Sequence, residues 1–301
     1  MNTLLATLDA MLPVFIAVAL AVVFGKFVKV DAKAFSQAVV YLFGPALVFN
    51  SLTNSEVDTA AMGGIFAMST ISTIALLGVG WLISRAMKLS HPMSSTVMLS
   101  LTLGNTGSIG LPLLEFAFGE KGLLYGAIFY VTTSIFANIL GVFIPSSGHV
   151  SAKEAFGRIF KVPMIYAAIL GVAFNLFGIE MPLIVTRTTY LLGYAALACG
   201  LAFMGIRLAN MKIHGKMLPI IVASAARVIL APLIGWLTGL LLGVDQLTLY
   251  TCVLQIATPT ALFAAMFSEE FGGDSELASG IILLTTIGTF FSLSFLLALM
   301  I

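Results

Sequence analysis

The chain has 301 residues, of which 60% are hydrophobic and only 9% are charged, and its formal net charge is +1. A soluble domain normally carries about 25% charged residues, so the composition excludes an ordinary soluble fold and indicates a chain that crosses a membrane many times. The small net charge gives no basis for a nucleic-acid partner. Cys199 and Cys252 lie in apolar stretches without metal-like spacing, and we interpret both as small core residues.

The apolar stretches predict ten membrane-spanning helices, because most of them hold the roughly 20 apolar residues that a hydrocarbon core of ~30 Å requires. In chain order they lie near residues 4–25, 34–53, 62–84, 93–118, 122–144, 162–179, 183–206, 217–242, 247–268 and 275–300. The longest connection, Pro145 to Lys161, has room for a short interfacial helix. The first stretch is full length and no basic residue precedes Lys26, so we do not interpret it as a cleaved signal peptide.

The distribution of Lys and Arg sets the expected orientation. Eleven of the 14 basic residues fall in the first, third, fifth and seventh connections, which the positive-inside rule assigns to the cytoplasm. These residues are Lys26, Lys29, Lys33, Arg85, Lys88, Lys153, Arg158, Lys161, Arg207, Lys212 and Lys216. We therefore expect a multi-pass protein of the cell (inner) membrane with both termini outside.

Two of the predicted spans are interrupted. Span four contains Gly104-Asn105-Thr106-Gly107-Ser108-Ile109-Gly110-Leu111-Pro112, and span nine contains Gln255-Ile256-Ala257-Thr258-Pro259-Thr260. Irregular backbone at membrane depth is tolerated only where it is buried in protein or lines a wet cavity. A pair of interrupted spans in matching positions of two halves is typical of a transporter binding site. Gly104, Gly110 and Pro112 are the residues expected to make the structural break in span four.

An internal repeat relates the two halves of the sequence. A shift of 150 residues aligns Pro13 with Pro163, and a shift of 153 aligns Gly119 with Gly272. Each half holds five spans, an odd number, so the second half enters the membrane from the opposite face. The sequence therefore predicts an all-α membrane protein of ten transmembrane helices. It divides these helices into two inverted five-helix repeats, residues 1–150 and 151–301. This arrangement would make the broken helices four and nine cross near the midplane of the membrane.

The first interrupted segment also carries a resemblance. The run Asn105-Thr106-Gly107-Ser108-Ile109-Gly110-Leu111-Pro112-Leu113-Leu114, followed by Phe118-Gly119, resembles the fourth-span motif of the auxin efflux carrier family. Bacterial members of that family include malonate-transporter-like proteins. The resemblance extends over the whole chain, and in span nine it depends mainly on Pro259 and the Phe271-Gly272 turn. It implies secondary transport of organic anions by an elevator-like or rocking movement, and it leaves the substrate open because members differ in cargo.

Polar and small residues at the breaks are the candidate substrate ligands. They are Asn105, Thr106, Gly107, Gln255, Thr258 and Pro259, together with Asn50 late in span two, which we expect to line the same cavity. Five of them have a structural alternative. Asn105 and Thr106 could cap the half-helix that follows the break, Gly107 could serve close helix packing, and Gln255 and Thr258 could bond between helices.

Arg227 is the most deeply placed charge in the sequence. It lies eleven residues along span eight from Lys216, which is roughly 16 Å at 1.5 Å per residue and about half of the hydrocarbon thickness. A central Arg is costly in lipid, so it must face the protein interior or water. It therefore either attracts an anionic substrate or pairs with a carboxylate or with carbonyls freed at a break. Glu115, close to the first break, is either a proton-linked carboxylate or an ordinary boundary residue.

These features predict a secondary transporter that moves a small organic anion, a carboxylate, across the membrane by alternating access. The alternative is a sodium-coupled symporter with the fold of bile-acid carriers, which would need oxygen ligands at the breaks, where the sequence has no acidic residue. The sequence contains no enzyme motif, metal-ligand set or cofactor motif, so we expect no catalysis, metal or cofactor. The expected partners are the anion and the lipid bilayer, and a homodimer is left open.

Overall fold

The computed structural model describes residues 3–54, 58–146, 157, 159–213 and 216–301. Within these residues every regular element is helical, and a single isolated β-bridge joins Gly104 to Thr260. The α-helices are α1 (Thr3–Phe27), α2 (Ala32–Ala38), α3 (Gly44–Thr53), α4 (Thr59–Ala86), α5 (His91–Thr102), α6 (Leu111–Phe143), α7 (Pro163–Leu176), α8 (Leu183–Asn210), α9 (Met217–Leu242), α10 (Gln246–Ile256), α11 (Leu262–Phe271) and α12 (Ser275–Met300). Two π-helical turns, Val39–Phe43 and Thr106–Gly110, precede α3 and α6, and a 3-10 turn covers Ile159–Lys161.

Local sequence explains many of the helix ends. The Asp58 and Asp245 side chains accept hydrogen bonds from the first amides of α4 and α10, which satisfies donors that the helix itself leaves open. Gly243 and Gly272 end α9 and α11 in the left-handed conformation. Gly119 has φ 65° and ψ −155°, a non-helical conformation at which α6 kinks. Two helical segments of α6 meet at this glycine, between the residues predicted for spans four and five.

Seven helical segments of the described residues are long and apolar enough to cross a membrane. They are Leu5–Phe27, Ala32–Thr53, Thr59–Ala86, Thr106–Phe143, Leu183–Asn210, Met217–Leu242 and Ser275–Met300. The apolar α7 has only 14 residues, fewer than the roughly 20 of a full span. The helices that flank the breaks, α5, α10 and α11, have 12, 11 and 10 residues. The prediction of an all-helical chain with many membrane spans is confirmed at this level.

The helices pack in two groups. In one, α8 packs against α1, α2 and α3, and α3 packs against α7; we refer to these five as the unbroken group. In the other, α4 packs against α5, α6 and α9, and α12 packs against α9 and α11. α10 packs against α6. We refer to these seven helices, which include both breaks, as the broken group. Contacts of α6 with α1 and α3 join the two groups. Large apolar side chains such as Phe27, Ile184 and Leu241 stay exposed on the outside, as contact with lipid tails requires.

The connection predicted to hold an interfacial helix, Pro145 to Lys161, lies largely outside the described residues. Lys153 and Arg158 belong to that part of the chain. What the structure describes there is the turn Ile159–Lys161, directly before α7.

Candidate substrate site at the two breaks

The first break separates α5 from α6. α5 ends at Thr102, and the chain turns at Asn105 into the π-helical turn Thr106–Gly110, which leads into α6. The side-chain oxygen of Asn105 accepts a hydrogen bond from the amide of Ser108 at 3.3 Å. Asn105 thus caps the second half of this broken span.

The second break separates α10 from α11. α10 ends at Ile256, and the hydroxyl of Thr258 donates to the carbonyl of Gln255 at 2.6 Å, which satisfies one carbonyl of that last turn. α11 begins after Ala261, which has no side-chain acceptor to offer its first amides. The two breaks therefore differ: the first is capped by a side chain and the second is not.

The two breaks lie against each other and pair through their backbones. The amide of Asn105 donates to the carbonyl of Pro259 at 2.7 Å, and the amide of Ala261 donates to the carbonyl of Leu103 at 2.8 Å. Each break thus satisfies polar groups of the other that would be costly in an apolar interior. The two segments that the sequence singled out are together in the structure.

Arg227 joins both breaks from behind. Its side chain is 1% exposed, and its guanidinium donates to the carbonyl of Leu101 at 2.5 Å and to the carbonyl of Thr258 at 3.0 and 3.2 Å. Leu101 lies in the last turn of α5 and Thr258 follows the end of α10. These contacts correspond to one of the roles considered for Arg227, pairing with carbonyls freed at a break.

A cavity of about 510 Å³ lies beside the crossing. At its inner end it is lined by Gly104 and Thr106 of the first break and by Ala261 and Phe263 of the second. It extends along α6 to Lys33, Lys161 and Glu270. A volume of several hundred cubic ångströms suits a small-molecule site.

The predicted ligands of the first break border this cavity or its extension. Asn105, Thr106 and Gly107 line an adjoining pocket of about 50 Å³, shared with Tyr130. Thr106 also lines the main cavity, and its hydroxyl lies 3.4 Å from that of Thr133. The side-chain nitrogen of Asn105 donates instead to the sulfur of Met204 at 3.0 Å.

The predicted ligands of the second break are buried in the protein. Gln255 and Thr258 have no exposed surface, and neither lines the two cavities beside the crossing. The side-chain nitrogen of Gln255 donates to the carbonyl of Gly126 at 3.3 Å. Pro259 contributes the carbonyl that accepts from Asn105. These contacts link helices, which is the structural alternative considered for Gln255 and Thr258.

Asn50 lies in a different cavity from the one expected. It lines a cavity of about 430 Å³ together with Asn54, Arg187 and Tyr190, and its side-chain oxygen accepts from Asn54 and from Thr189. Span two brings Asn50 to the end of α3, whereas the main cavity is lined by residues at the start of α2. The expectation that Asn50 shares the cavity at the breaks is corrected accordingly.

Glu115 connects the broken group to the unbroken group. The hydroxyl of Tyr194 on α8 donates to one carboxylate oxygen of Glu115 on α6 at 2.8 Å. The other oxygen is buried without a hydrogen-bond partner among the described residues. Tyr194 lines the same cavity as Asn50, so Glu115 lies behind that cavity rather than at the crossing.

One face of α6 lines the main cavity with polar residues that were not among the predicted ligands. They are Tyr130, Thr133, Ser134 and Asn138, and the apolar Phe136 and Ala137 also line the cavity. The polar positions recur at three- and four-residue intervals, so they share one helix face. That spacing was readable in the sequence.

The comparison with known proteins decides the family. A sequence model described as "Membrane transport protein" matches residues 6–159 and 147–297. The chain belongs to this family. This confirms the resemblance to the auxin efflux carrier family that the Asn105–Pro112 motif indicated.

Named relatives agree with the family. A protein of Methanothermobacter thermautotrophicus, named "Uncharacterized transporter", is 28% identical over 269 residues, which cover 87% of this chain and 87% of that protein. A protein of Rhizobium meliloti, named "Putative malonate transporter", is 26% identical over 258 residues, which cover 83% of this chain and 81% of that protein. The chain is thus a multi-pass membrane protein of a transporter family and not an enzyme.

Proposed function

We propose that this protein is a secondary transporter that moves a small organic anion, a carboxylate, across the cell's inner membrane by alternating access. The observation that carries the proposal is the crossing itself, where two interrupted helices meet beside a cavity of about 510 Å³. Discontinuous helices whose amide ends face a cavity are the usual anion sites of such transporters.

The amide end of α11 supports an anionic substrate. A helix N-terminus carries roughly half a positive charge and several amides without an intrahelical acceptor. α11 has no side-chain cap, and its N-cap residue Ala261 and its second residue Phe263 line the cavity. A carboxylate in the cavity would supply the missing acceptor. The polar face of α6, with Thr133, Ser134 and Asn138, offers further hydrogen-bonding groups.

An inverted repeat, residues 1–150 and 151–301, is the architecture we propose for alternating access. Gly119 and Gly272, which the repeat aligns, both have positive φ, 65° and 89°. Each helix group also draws on both halves: the unbroken group takes α1 to α3 from the first half and α7 and α8 from the second. Movement of one group past the other would expose the crossing to each side in turn.

The orientation follows from the basic residues. The main cavity extends to Lys33 and Lys161, which the positive-inside rule places in the cytoplasm. The cavity lined by Asn50 and Arg187 then lies on the outer side, together with both termini. We propose that the structure represents a state whose site is reached from the cytoplasm.

Reconstituted protein tests the proposal. Because one relative is named a putative malonate transporter, C3 dicarboxylates are tested first and monocarboxylates second. Amines serve as the comparison. We expect purified protein in liposomes to take up a labelled carboxylate faster than empty liposomes, and carboxylates but not amines to raise the unfolding temperature. Withdrawing a sodium gradient and a proton gradient in turn tests the sodium symporter as well. Stabilisation and uptake of amines alone would contradict an anion carrier.

A further inference from the structure

Arg227 caps the carbonyl ends of two half-helices at once. Its hydrogen bonds go to the carbonyls of Leu101, in the last turn of α5, and of Thr258, just after α10. Among the described residues no carboxylate is one of its partners. Its charge is therefore held by main-chain dipoles alone, at a site that is 1% exposed.

Four half-helix ends meet at the crossing. The carbonyl ends of α5 and α10 each carry roughly half a negative charge, and the amide ends of the Thr106–Gly110 turn and of α11 each carry roughly half a positive charge. On their own these partial charges nearly cancel. Arg227 adds a full positive charge at the carbonyl ends, so the crossing keeps a net positive character on the side where the amide ends line the cavity.

Arg227 lies directly behind the cavity wall. Gly104 lines the cavity, and a Cβ atom at Gly104 would collide with the Arg227 guanidinium and would lie 2.7 Å from the hydroxyl of Thr258. The guanidinium thus packs against the backbone of a residue that itself lines the cavity. In a dry interior a charge at this short range acts strongly on a second charge.

We propose that Arg227 sets the charge selectivity of the site without touching the substrate. By neutralising the two carbonyl ends, it lets the amide ends act on an anion in the cavity. This inference rests on the proposed function. It adds that the discrimination between charged and neutral substrates depends on Arg227, a residue behind the site. Arg227 is then a positioning and specificity-determining residue and not a ligand.

The first test compares three probes that differ mainly in charge: malonate, its half-amide and its diamide. Dissociation constants come from thermal-shift titrations of wild type, Arg227→Lys and Arg227→Gln in detergent. We expect the preference of wild type for malonate over the diamide to fall by about tenfold or more in Arg227→Gln, as expected for loss of a nearby charge. Arg227→Lys should retain more of that preference. An equal loss of affinity for all three probes would reveal a merely structural role and overturn the inference.

Ser224 provides a second test that leaves Arg227 in place, should Arg227→Gln fail to fold. Ser224 is one helical turn before Arg227 on α9, it is buried, and its hydroxyl has no partner among the described residues. Ser224→Asp places a carboxylate beside the guanidinium, and Ser224→Asn is the matched neutral control. We expect only Ser224→Asp to lower the preference for malonate over the diamide.

The outcomes separate the two proposals. If wild type prefers neither malonate nor any other carboxylate to its amide, the proposed anion transport fails. If wild type shows the preference and Ser224→Asp retains it in full, anion transport stands and the role given to Arg227 is refuted.

Discussion

The two breaks perform the same backbone task with different chemistry. At the first, Asn105 supplies both a side-chain cap for the amide of Ser108 and a main-chain donor to Pro259. At the second, a proline interrupts the helix, and α11 starts after Ala261 without a side-chain cap. Both breaks are paired with each other, yet only the second leaves its amide end without a side-chain acceptor.

Because of this difference, we assign the first break to holding the geometry of the crossing and the second to binding a ligand. A capped helix end is already satisfied, so it fixes the crossing but gains little from an anion. An uncapped end beside a cavity gains a missing acceptor when an anion arrives. We therefore expect the substrate to depend more on the α11 end than on Asn105, a contrast that Ala261→Ser and Asn105→Ala test directly.

The largest effect is expected from Gly104→Ala, because it damages both breaks together. A Cβ atom there would displace the Arg227 guanidinium from the carbonyls it binds. Leaving a buried charge without its partners typically costs about 3–5 kcal/mol. We expect a large drop in unfolding temperature and loss of uptake in liposomes, measured at matched protein amounts.

Gly78→Ala on α4 is the matched control for that substitution. A Cβ atom at Gly78 meets no atom within 4 Å, and Ala is the better helix former by about 1 kcal/mol. Unchanged or raised stability is expected. If Gly104→Ala behaved like Gly78→Ala, the close approach of Arg227 to the first break would be refuted.

A smaller effect with an unusual sign is expected from Ala261→Ser. A serine at this position can cap the amides of α11, which should raise stability by about 1 kcal/mol. The same hydroxyl would compete with a carboxylate for those amides. We expect the unfolding temperature to rise while the affinity for the transported anion falls by about tenfold, in line with the loss of one charge-assisted hydrogen bond.

Ala137→Ser controls for added polarity in the same cavity. Ala137 also lines the cavity, but it lies within α6 and not at the N-cap position of α11. Ala137→Ser should leave the affinity for the transported anion nearly unchanged. Equal losses of affinity in the two serine variants would show that the α11 end has no special role.

The breaks could be predicted from sequence because their causes are local. Clusters of glycine, proline and small polar residues favour an interruption of a helix, so the runs at Gly104–Pro112 and Gln255–Thr260 were readable without a structure. The burial of Arg227 in the protein was also predictable, since a charge in the middle of an apolar span must avoid lipid. Its partners were not, because the carbonyls of Leu101 and Thr258 belong to residues whose side chains give no sign of them.

The direction in which each polar residue faces was harder to predict from the sequence. Spacing along a span gives depth in the membrane but not the neighbouring helix. Asn50 was expected at the breaks and instead lines a cavity with Arg187, while Gln255 packs against Gly126. The row from Tyr130 to Asn138 faces the cavity, and only its helical spacing could have indicated that.

Asn105→Ala tests the capped side of the comparison. Loss of the cap should cost about 1 kcal/mol, which corresponds to roughly a fivefold weaker site if the geometry of the crossing relaxes. Asn105→Ser keeps an oxygen acceptor for the amide of Ser108 and lacks the amide donors of Asn. We expect Asn105→Ser to restore uptake to near the wild-type rate. If it transports as poorly as Asn105→Ala, Asn105 contacts the substrate through its side-chain nitrogen.

The smallest effect is expected at the start of α10, which leads into the second break. Burial raises the pKa of the Asp245 carboxyl, but hydrogen bonds from the Thr248 hydroxyl and from the amides of Thr248 and Leu247 outweigh it, so the net pKa is lowered. A carboxyl whose pKa is lower in the folded state stabilises the fold above its unfolded pKa of about 3.9. That stabilisation is lost as the pH falls through the folded pKa.

We expect Asp245→Ala to cost about 1 kcal/mol of stability at pH 7. The difference in unfolding temperature between wild type and Asp245→Ala should shrink below about pH 4. Asp245→Asn keeps an acceptor that does not titrate, so its unfolding temperature relative to Asp245→Ala should not change with pH. A gap between wild type and Asp245→Ala that stays constant from pH 7 to pH 3 would show that the charge of Asp245 contributes nothing to holding α10.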